Sequence, residues 1–472
     1  MRKLLCAPLV CSMLLAIGAS PALASHGQLT FFEAPNELLS SNAARARTVA
    51  KLQALGVHAL RVQLFWRSVA PSPTSSRRPS FDATNPANYN WGQYVAVLAE
   101  AKALHWPVLL TVTSPVPRWA TAGRRDKLGL TRPADREFQQ FMTAVAREFS
   151  SEVALYAIWN EPNHPRFLRP QFDARGNPAS PRIYRGLFQA GYEGLKAAGI
   201  ASPKVLFGET APGGETKIEP REGLLKDVAP LTFLRGALCL DSHYRKSGTC
   251  GLLPAYGYAH HAYSMRASGP FYTPPGRDNV TIGVLSRLTQ ALDSAARAHA
   301  IRSGMPVYLT EFGVNSKPNR FLGVPVGQQA EYDAIGERIA YQNPRVASFS
   351  QYLLKDDPLS GAGVSGGVGF QTGLEYLSGA PKPLYFGFPL PLTVSKHGRG
   401  FSLWGFVRPA AGATMLTVEV RQGSRRFHKL KDVTTNGSGY WSLNSATRAS
   451  SWRVVWHSPA GKLYTGPPIR AY

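Results

Sequence analysis

Short apolar runs rich in β-branched and aromatic residues alternate with longer amphipathic stretches between residue 28 and about residue 355. The runs cover 29–32, 59–65, 107–113, 154–159, 205–208, 256–262, 307–310 and 347–354. Between several of them, apolar residues recur three and four positions apart, which predicts helices over 43–55, 94–104, 135–149, 184–198, 282–301 and 328–341. Eight strands alternating with helices predict an α/β protein built as a (β/α)8 TIM barrel. The rival arrangement is a doubly wound open sheet. That fold usually carries a glycine-rich nucleotide turn after its first strand, and Phe31-Phe32-Glu33-Ala34-Pro35 is no such turn. After about Leu384 the helical period stops. A Pro/Gly-rich hinge at 387–391 is followed by β-rich segments such as 415–420 and 452–456, separated by the turn residues 435–439. This texture predicts a small C-terminal all-β sandwich over 389–472, with the barrel spanning 25–388.

Residues 1–24 follow neither pattern. A basic start, an apolar run from Leu4 to Ile17, and Ala22-Leu23-Ala24 before Ser25 read as a secretory signal peptide cleaved after Ala24. The run is shorter than the roughly 20 residues a membrane helix needs, and no later segment holds about 18 uninterrupted apolar residues. The expected location is therefore extracellular or at the cell envelope. Export also decides the cysteines. Cys6 and Cys11 would leave with the signal, whereas Cys239 and Cys250, set among Ser247, Gly248 and Gly251, are expected to form a disulfide. No histidine pair at ligand spacing accompanies them, so neither a zinc site nor any other metal is expected.

The 472 residues are 44% hydrophobic, which excludes a wholly disordered chain. They carry 53 Lys and Arg against 29 Asp and Glu, a net charge of +24. Part of that excess is concentrated in 389–472, where twelve Lys and Arg face only Glu419 and Asp432. An anionic cell envelope or an acidic polysaccharide suits such a segment. No nucleic-acid motif accompanies the charge, and specific nucleic-acid binding is not expected.

In a barrel of this kind the functional groups stand where the strands end. The first run ends in Glu33, the second carries Arg61 and ends in Trp66, and Trp119 lies just beyond the third. The fourth ends in Trp159-Asn160-Glu161-Pro162-Asn163 and the fifth in Glu209. The sixth holds His260, His261 and Tyr263, the seventh ends in Glu311, and the eighth holds Gln351 and Tyr352. Carboxylates for acid–base work, aromatic faces for stacking on sugar rings, and amides for hydroxyl groups form an inventory suited to carbohydrate. Glycosidic cleavage needs two carboxyl groups in different protonation states, and Glu161 and Glu311 are the pair a barrel can bring to one pocket. Trp66, Trp91 and Trp119 are each as well suited to packing as to a ligand. His260, adjacent to His261 in a strand, is expected to point away from the site.

Ile158-Trp159-Asn160-Glu161-Pro162-Asn163 resembles the fourth-strand signature of retaining (β/α)8 glycoside hydrolases of the largest clan. The Trp-Asn-Glu-Pro-Asn form is typical of glycoside hydrolase family 39 and its relatives, with family 5 cellulases as cousins. Tyr308-Leu309-Thr310-Glu311-Phe312-Gly313 is similar to the clan's nucleophile motif, His261-Ala262-Tyr263 to its sixth-strand His-x-Tyr, and Arg61 to its second-strand arginine. The resemblance implies Glu161 as acid/base, Glu311 as nucleophile, and Asn160 as donor to the 2-hydroxyl of the reacting sugar. It further implies that Tyr263 hydrogen-bonds Glu311, that Arg61 lies beneath it, and that His261 lines the same wall. Where many members carry a strand-eight tryptophan this chain has Ser350-Gln351-Tyr352, so Tyr352 is the candidate platform. Glu33, Glu209 and Trp119 complete the candidate substrate contacts. The expected function is a secreted retaining glycosidase that needs no cofactor. A transglycosylase using the same carboxylates and a catalytically inert carbohydrate-binding protein are the alternatives.

Overall fold

The structure, a computed structural model, describes residues 27–122, 126–220, 225–359 and 369–472. The expected signal peptide lies outside the described residues. Strands β1 (Phe32–Glu33), β2 (Leu60–Phe65), β3 (Val108–Thr113), β4 (Val153–Ile158), β5 (Val205–Thr210), β6 (Gly257–His261) and β7 (Val307–Glu311) pair in parallel in sequence order. The eighth barrel strand is broken at Ser350 into β8 (Val346–Phe349), which pairs with β7, and β9 (Gln351–Tyr352), which pairs with β1. A parallel bridge from Leu29 to Ser348 completes the closure. The expected helices are present, for example Asn42–Ala54, Asp135–Phe149 and Ser180–Ala197. The sequence pattern missed the helix Pro230–Ala237, whose eight residues are too few to display a period clearly. In the connection between β5 and β6, Cys239 and Cys250 are joined as a disulfide, with Cα atoms 6.0 Å apart.

Strand alternation sorts the side chains. Along β2, Leu60, Val62 and Leu64 join the core between strands and helices, so Arg61 and Gln63 point into the barrel. Phe31, Ala59, Leu109, Leu155, Leu206, Ala259 and Tyr308 form a separate apolar layer inside the barrel. Two positions further along the first three strands come Glu33, Arg61 and Thr111, so the apolar plug is capped by a charged layer.

From Leu392 onward the chain is antiparallel. Strands β10 (Leu392–His397), β11 (Gly400–Phe406) and β14 (Tyr440–Ser445) form one sheet. β12 (Met415–Arg421), β13 (His428–Thr434), β15 (Ser451–His457) and β16 (Leu463–Thr465) form the other. Leu392, Val394, Leu403, Val418, Val420 and Val454 fill the space between them with Trp441, Trp452 and Trp456. Trp404 is buried as well, so none of the four tryptophans offers an exposed face for sugar. No helix among the described residues is long and apolar enough to cross a membrane.

One arginine ties the sandwich to the barrel. The Arg408 guanidinium donates to both oxygens of Glu337 at 2.8 and 2.9 Å, to Thr30 Oγ1 at 2.7 Å and to the Phe388 carbonyl at 2.9 Å. Both members of the ion pair are buried. Removing one member of such a pair strands the other charge and costs about 3–5 kcal/mol. Arg408→Ala is therefore expected to lose that much in urea unfolding, while Arg408→Leu combined with Glu337→Leu recovers most of it. A single-variant loss below about 1 kcal/mol would contradict the assignment.

Candidate active site

Arg61 has no exposed side-chain surface. Its Nη1 donates to Glu33 Oε2 at 2.5 Å and to Glu311 Oε1 at 2.7 Å. Its Nη2 donates to Asn160 Oδ1 at 2.7 Å and to Glu209 Oε2 at 2.8 Å, and its Nε to Glu209 Oε1 at 3.1 Å and Thr111 Oγ1 at 3.2 Å. Groups from the ends of β1, β4, β5 and β7 thus converge on one cation. Guanidinium only donates, so the Asn160 oxygen must face it. The Asn160 amide NH2 is left for the cleft, which the residue lines.

Local backbone irregularities aim these groups. Trp159 turns outward against Phe138, with ring centroids 5.6 Å apart. It and Glu161 have φ of +71° and +38°, a region costly for residues with a Cβ. Asn160, between them, is held by its own N–H donating to Thr113 Oγ1 at 3.0 Å. On β5 the register shifts between Gly208 and Thr210, and Gly208 has φ of +111°. A Cβ there would meet the Ala259 carbonyl at 2.6 Å, so only glycine fits. The bulge turns Glu209 inward, where simple alternation from Leu206 would have sent it out.

Glu161 and Glu311 come together. A carboxylate oxygen of each and a ring nitrogen of His261 all lie within 4.8 Å of one another. His261 Nδ1 is 3.0 Å from Glu161 Oε1 and 3.5 Å from Glu311 Oε2. Its Nε2 is buried without a partner among the described residues. An unpaired acceptor there is cheaper than an unpaired N–H, which places the ring proton on Nδ1. Burial holds the imidazole below its ordinary value, hence neutral. Three such ligand atoms could reach one metal ion, but the Arg61 charge 2.7 Å from Glu311 opposes a second cation.

Both carboxyls are pushed up to about 7, chiefly by burial. Their surroundings differ. Glu311 accepts from Arg61, from Tyr263 OH at 3.0 Å and from Gln63 Nε2 at 3.4 Å. Glu161 accepts only from His261 among the described residues. Donors favour the ionised form, so the proton the pair keeps near neutrality sits on Glu161.

Of the other candidates, Glu33 and Tyr352 line a cavity of about 260 Å³ together with Gln63, Asn160, Glu161 and Glu311. Tyr263 lines an adjoining cavity. Arg61, Glu209 and His261 need correction as substrate contacts: their side chains are 0%, 1% and 0% exposed, so they hold other site residues and are shielded from solvent. Trp119 is also corrected. It packs edge-on to Trp66 and Phe81, donates from Nε1 to the Pro71 carbonyl, and lines neither cavity. Trp66 and Trp91 are buried around Phe141 in the same aromatic cluster. His260 points away, bonded to Thr210 and the Val280 carbonyl. The sequence reading missed Gln63, although it lies two positions from Arg61 on one strand face. It also missed Phe370, which stands 5.3 Å from the Tyr352 ring in a loop that carries no periodic signal.

The raised value on Glu161 has a consequence for stability. Its folded-state value lies above the ordinary 4.5, so the folded protein binds this proton more tightly. The contribution is present at low pH and fades as pH rises from about 4.5 through 7. Glu161→Gln, which imitates the protonated form, is expected to gain stability over wild type between pH 4 and pH 8. The gain is up to roughly 3 kcal/mol, at about 1.4 kcal/mol per pH unit. Urea unfolding at both pH values checks this, and an equal difference at the two would contradict it.

No protein-family model matches the sequence, and no curated protein matches it. Solved structures share its fold. A family 39 glycoside hydrolase from Bacteroides cellulosilyticus WH2 is 16% identical with a TM-score of 0.53, over 90% of this chain and 80% of that one. A glucosidase from Croceicoccus marinus is 11% identical with a TM-score of 0.54, over 92% and 96%. A monomeric β-xylosidase from Caulobacter crescentus CB15 is 14% identical with a TM-score of 0.51, over 94% and 97%. This chain is a TIM barrel followed by a β-sandwich, similar in architecture to all three.

Proposed function

We propose that this chain is a secreted retaining glycoside hydrolase. The observation that carries the reading is the close pair Glu161 and Glu311, with oxygens within 4.8 Å and unequal donor sets. Retaining enzymes hold their carboxyl groups about 5–5.5 Å apart, whereas inverting ones need about 6.5–9.5 Å to admit a water. The glycosidase activities of the three similar structures point the same way.

In this mechanism the Glu311 carboxylate attacks the anomeric carbon while Glu161 gives its proton to the departing oxygen. The products of that step are a glycosyl ester on Glu311 and a free leaving alcohol. Esterification removes the Glu311 charge, which had helped keep Glu161 protonated by repulsion. Glu161, now ionised, takes a proton from water, and the water oxygen displaces Glu311. Two inversions give net retention. The Asn160 NH2 faces the cleft as donor to the 2-hydroxyl, and Tyr352 with Phe370 supplies aromatic surface. A sugar acceptor in place of water would make the reaction a transglycosylation. An inert binding protein has no need of the unequal donor sets.

Glu311→Ala is expected to abolish turnover while substrate still binds. Glu161→Ala is expected to slow oligosaccharide cleavage by about 10²–10⁴-fold. The same variant should spare aryl glycosides whose leaving group needs no proton, and azide should partly restore it. Steady-state kinetics with and without azide check the roles, and an active Glu311→Ala would contradict them.

We also propose that the basic segment 389–472 holds the enzyme on an acidic polysaccharide or anionic envelope, since its net charge is +10. Retention on immobilised polygalacturonate is expected at low salt and lost near 0.5 M, because charges are screened within about 10 Å already at 0.1 M. Salt-independent retention, or none at low salt, would contradict this.

A further inference from the structure

Glu161 borders a second cavity. This space, about 540 Å³, shares Glu161, His164 and Phe370 with the first. Glu311, Gln63, Glu33 and Asn160 line the first cavity and are absent from the second. In the proposed reaction the sugar attacked by Glu311 must occupy the cavity that holds Glu311. The cavity that reaches the acid but not the nucleophile is then where the departing group lies.

The walls of this second cavity are fixed to the catalytic turn. Asn163, the last residue of the Asn-Glu-Pro-Asn turn, is buried. It accepts from Ala211 N at 2.8 Å and donates to the Ala211 and Val228 carbonyls at 3.2 and 2.8 Å. One wall carries Asp227, whose side chain is 32% exposed and has no hydrogen-bond donor among the described residues. His164 faces it, with Nε2 3.8 Å from Asp227 Oδ1. Nδ1 of His164 accepts from Arg166 N, so Nε2 carries the proton; burial keeps the ring neutral. Asp227 is thus oriented by a neutral dipole, and its acceptor capacity stays open to the cavity. On a protein of net charge +24 this lining is rich in carboxyl groups, with Glu161, Glu215 and Asp227 against Lys226; Glu161 holds its proton, and burial pushes Asp227 up to about 7. Met265, Leu322 and Phe370 give it an apolar side.

Resting on the glycosidase reading, we infer that this cavity is the leaving-group subsite, that it takes an uncharged hydroxyl-bearing sugar, and that Asp227 selects that sugar by accepting a hydrogen bond from it. Besides Lys226 the described lining of this cavity offers no cation to pair with an acidic sugar, and the apolar side meets the C–H face of a neutral one. Asp227 is a specificity residue and takes no part in bond making.

The test compares leaving groups on one glycone. Wild type is first screened on 4-nitrophenyl glycosides and on trisaccharides of xylose, glucose, galactose and mannose, in both anomers. The ratio of kcat/KM for the trisaccharide to kcat/KM for the aryl glycoside of the accepted sugar is then measured. Nitrophenol offers Asp227 no sugar hydroxyl. Loss of such a hydrogen bond is worth about 10-fold, so Asp227→Asn is expected to lower the ratio about 10-fold. Leu322→Trp, which fills the cavity from its half-exposed rim, is expected to lower it as well, and keeps the test open if the first variant fails to fold. A wild type active on both substrates with a ratio unmoved by either change overturns this inference alone. A wild type that cleaves no glycoside overturns the functional reading and this inference together.

Discussion

The buried guanidinium of Arg61 is the constraint on which the site depends. One planar fork, with no exposed side-chain surface, binds carboxylates from β1, β5 and β7 and the amide oxygen that follows β4. A lysine could not do this, because a point charge on a flexible stem cannot direct parallel donors to several acceptors. The arrangement is possible only at the top of a barrel, where strands distant in sequence end side by side and an apolar plug excludes water below. Four strand ends are therefore positioned by the same charge that sets the electrostatics of the reaction.

That charge is also too small for its surroundings. Glu33, Glu161, Glu209 and Glu311 outnumber Arg61, and His261 is neutral. Burial lifts Glu33, Glu161 and Glu311 above the usual carboxylate range. The cluster accommodates the excess by keeping protons, and the donor geometry decides where. Glu311 has Arg61 and Tyr263; among the described residues Glu161 has only a neutral imidazole. The asymmetry that the proposed double displacement needs is thus built into the hydrogen bonds before any substrate arrives. Burial is the largest cause of the raised value at Glu161, and the nearby Glu209 carboxylate adds to it.

Much of the fold was legible because both of its periods are written in the chain. The barrel strands begin and end within about three residues of the apolar runs, and Asp135–Phe149 coincides with its amphipathic pattern. Glu161, Glu311 and Asn160 were legible because a strand end is a recognisable place. The direction of Glu209 was not, because it depends on a bulge at Gly208 that alternation cannot express. Trp119 misled for a different reason: an aromatic ring near a strand tip suits a sugar face and other rings equally well, and here Trp66 and Phe81 claim it. Phe370 and Asp227 come from loops, whose course follows from tertiary contacts rather than from any repeat.

The central claim is that Arg61 and Tyr263 keep Glu311 ionised so that it attacks carbon directly while Glu161 supplies the proton. Proton NMR of the first product formed, read before mutarotation, tests this most directly. The account predicts a product with the anomeric configuration of the substrate. An inverted anomer would contradict it, because water would then have attacked in place of Glu311.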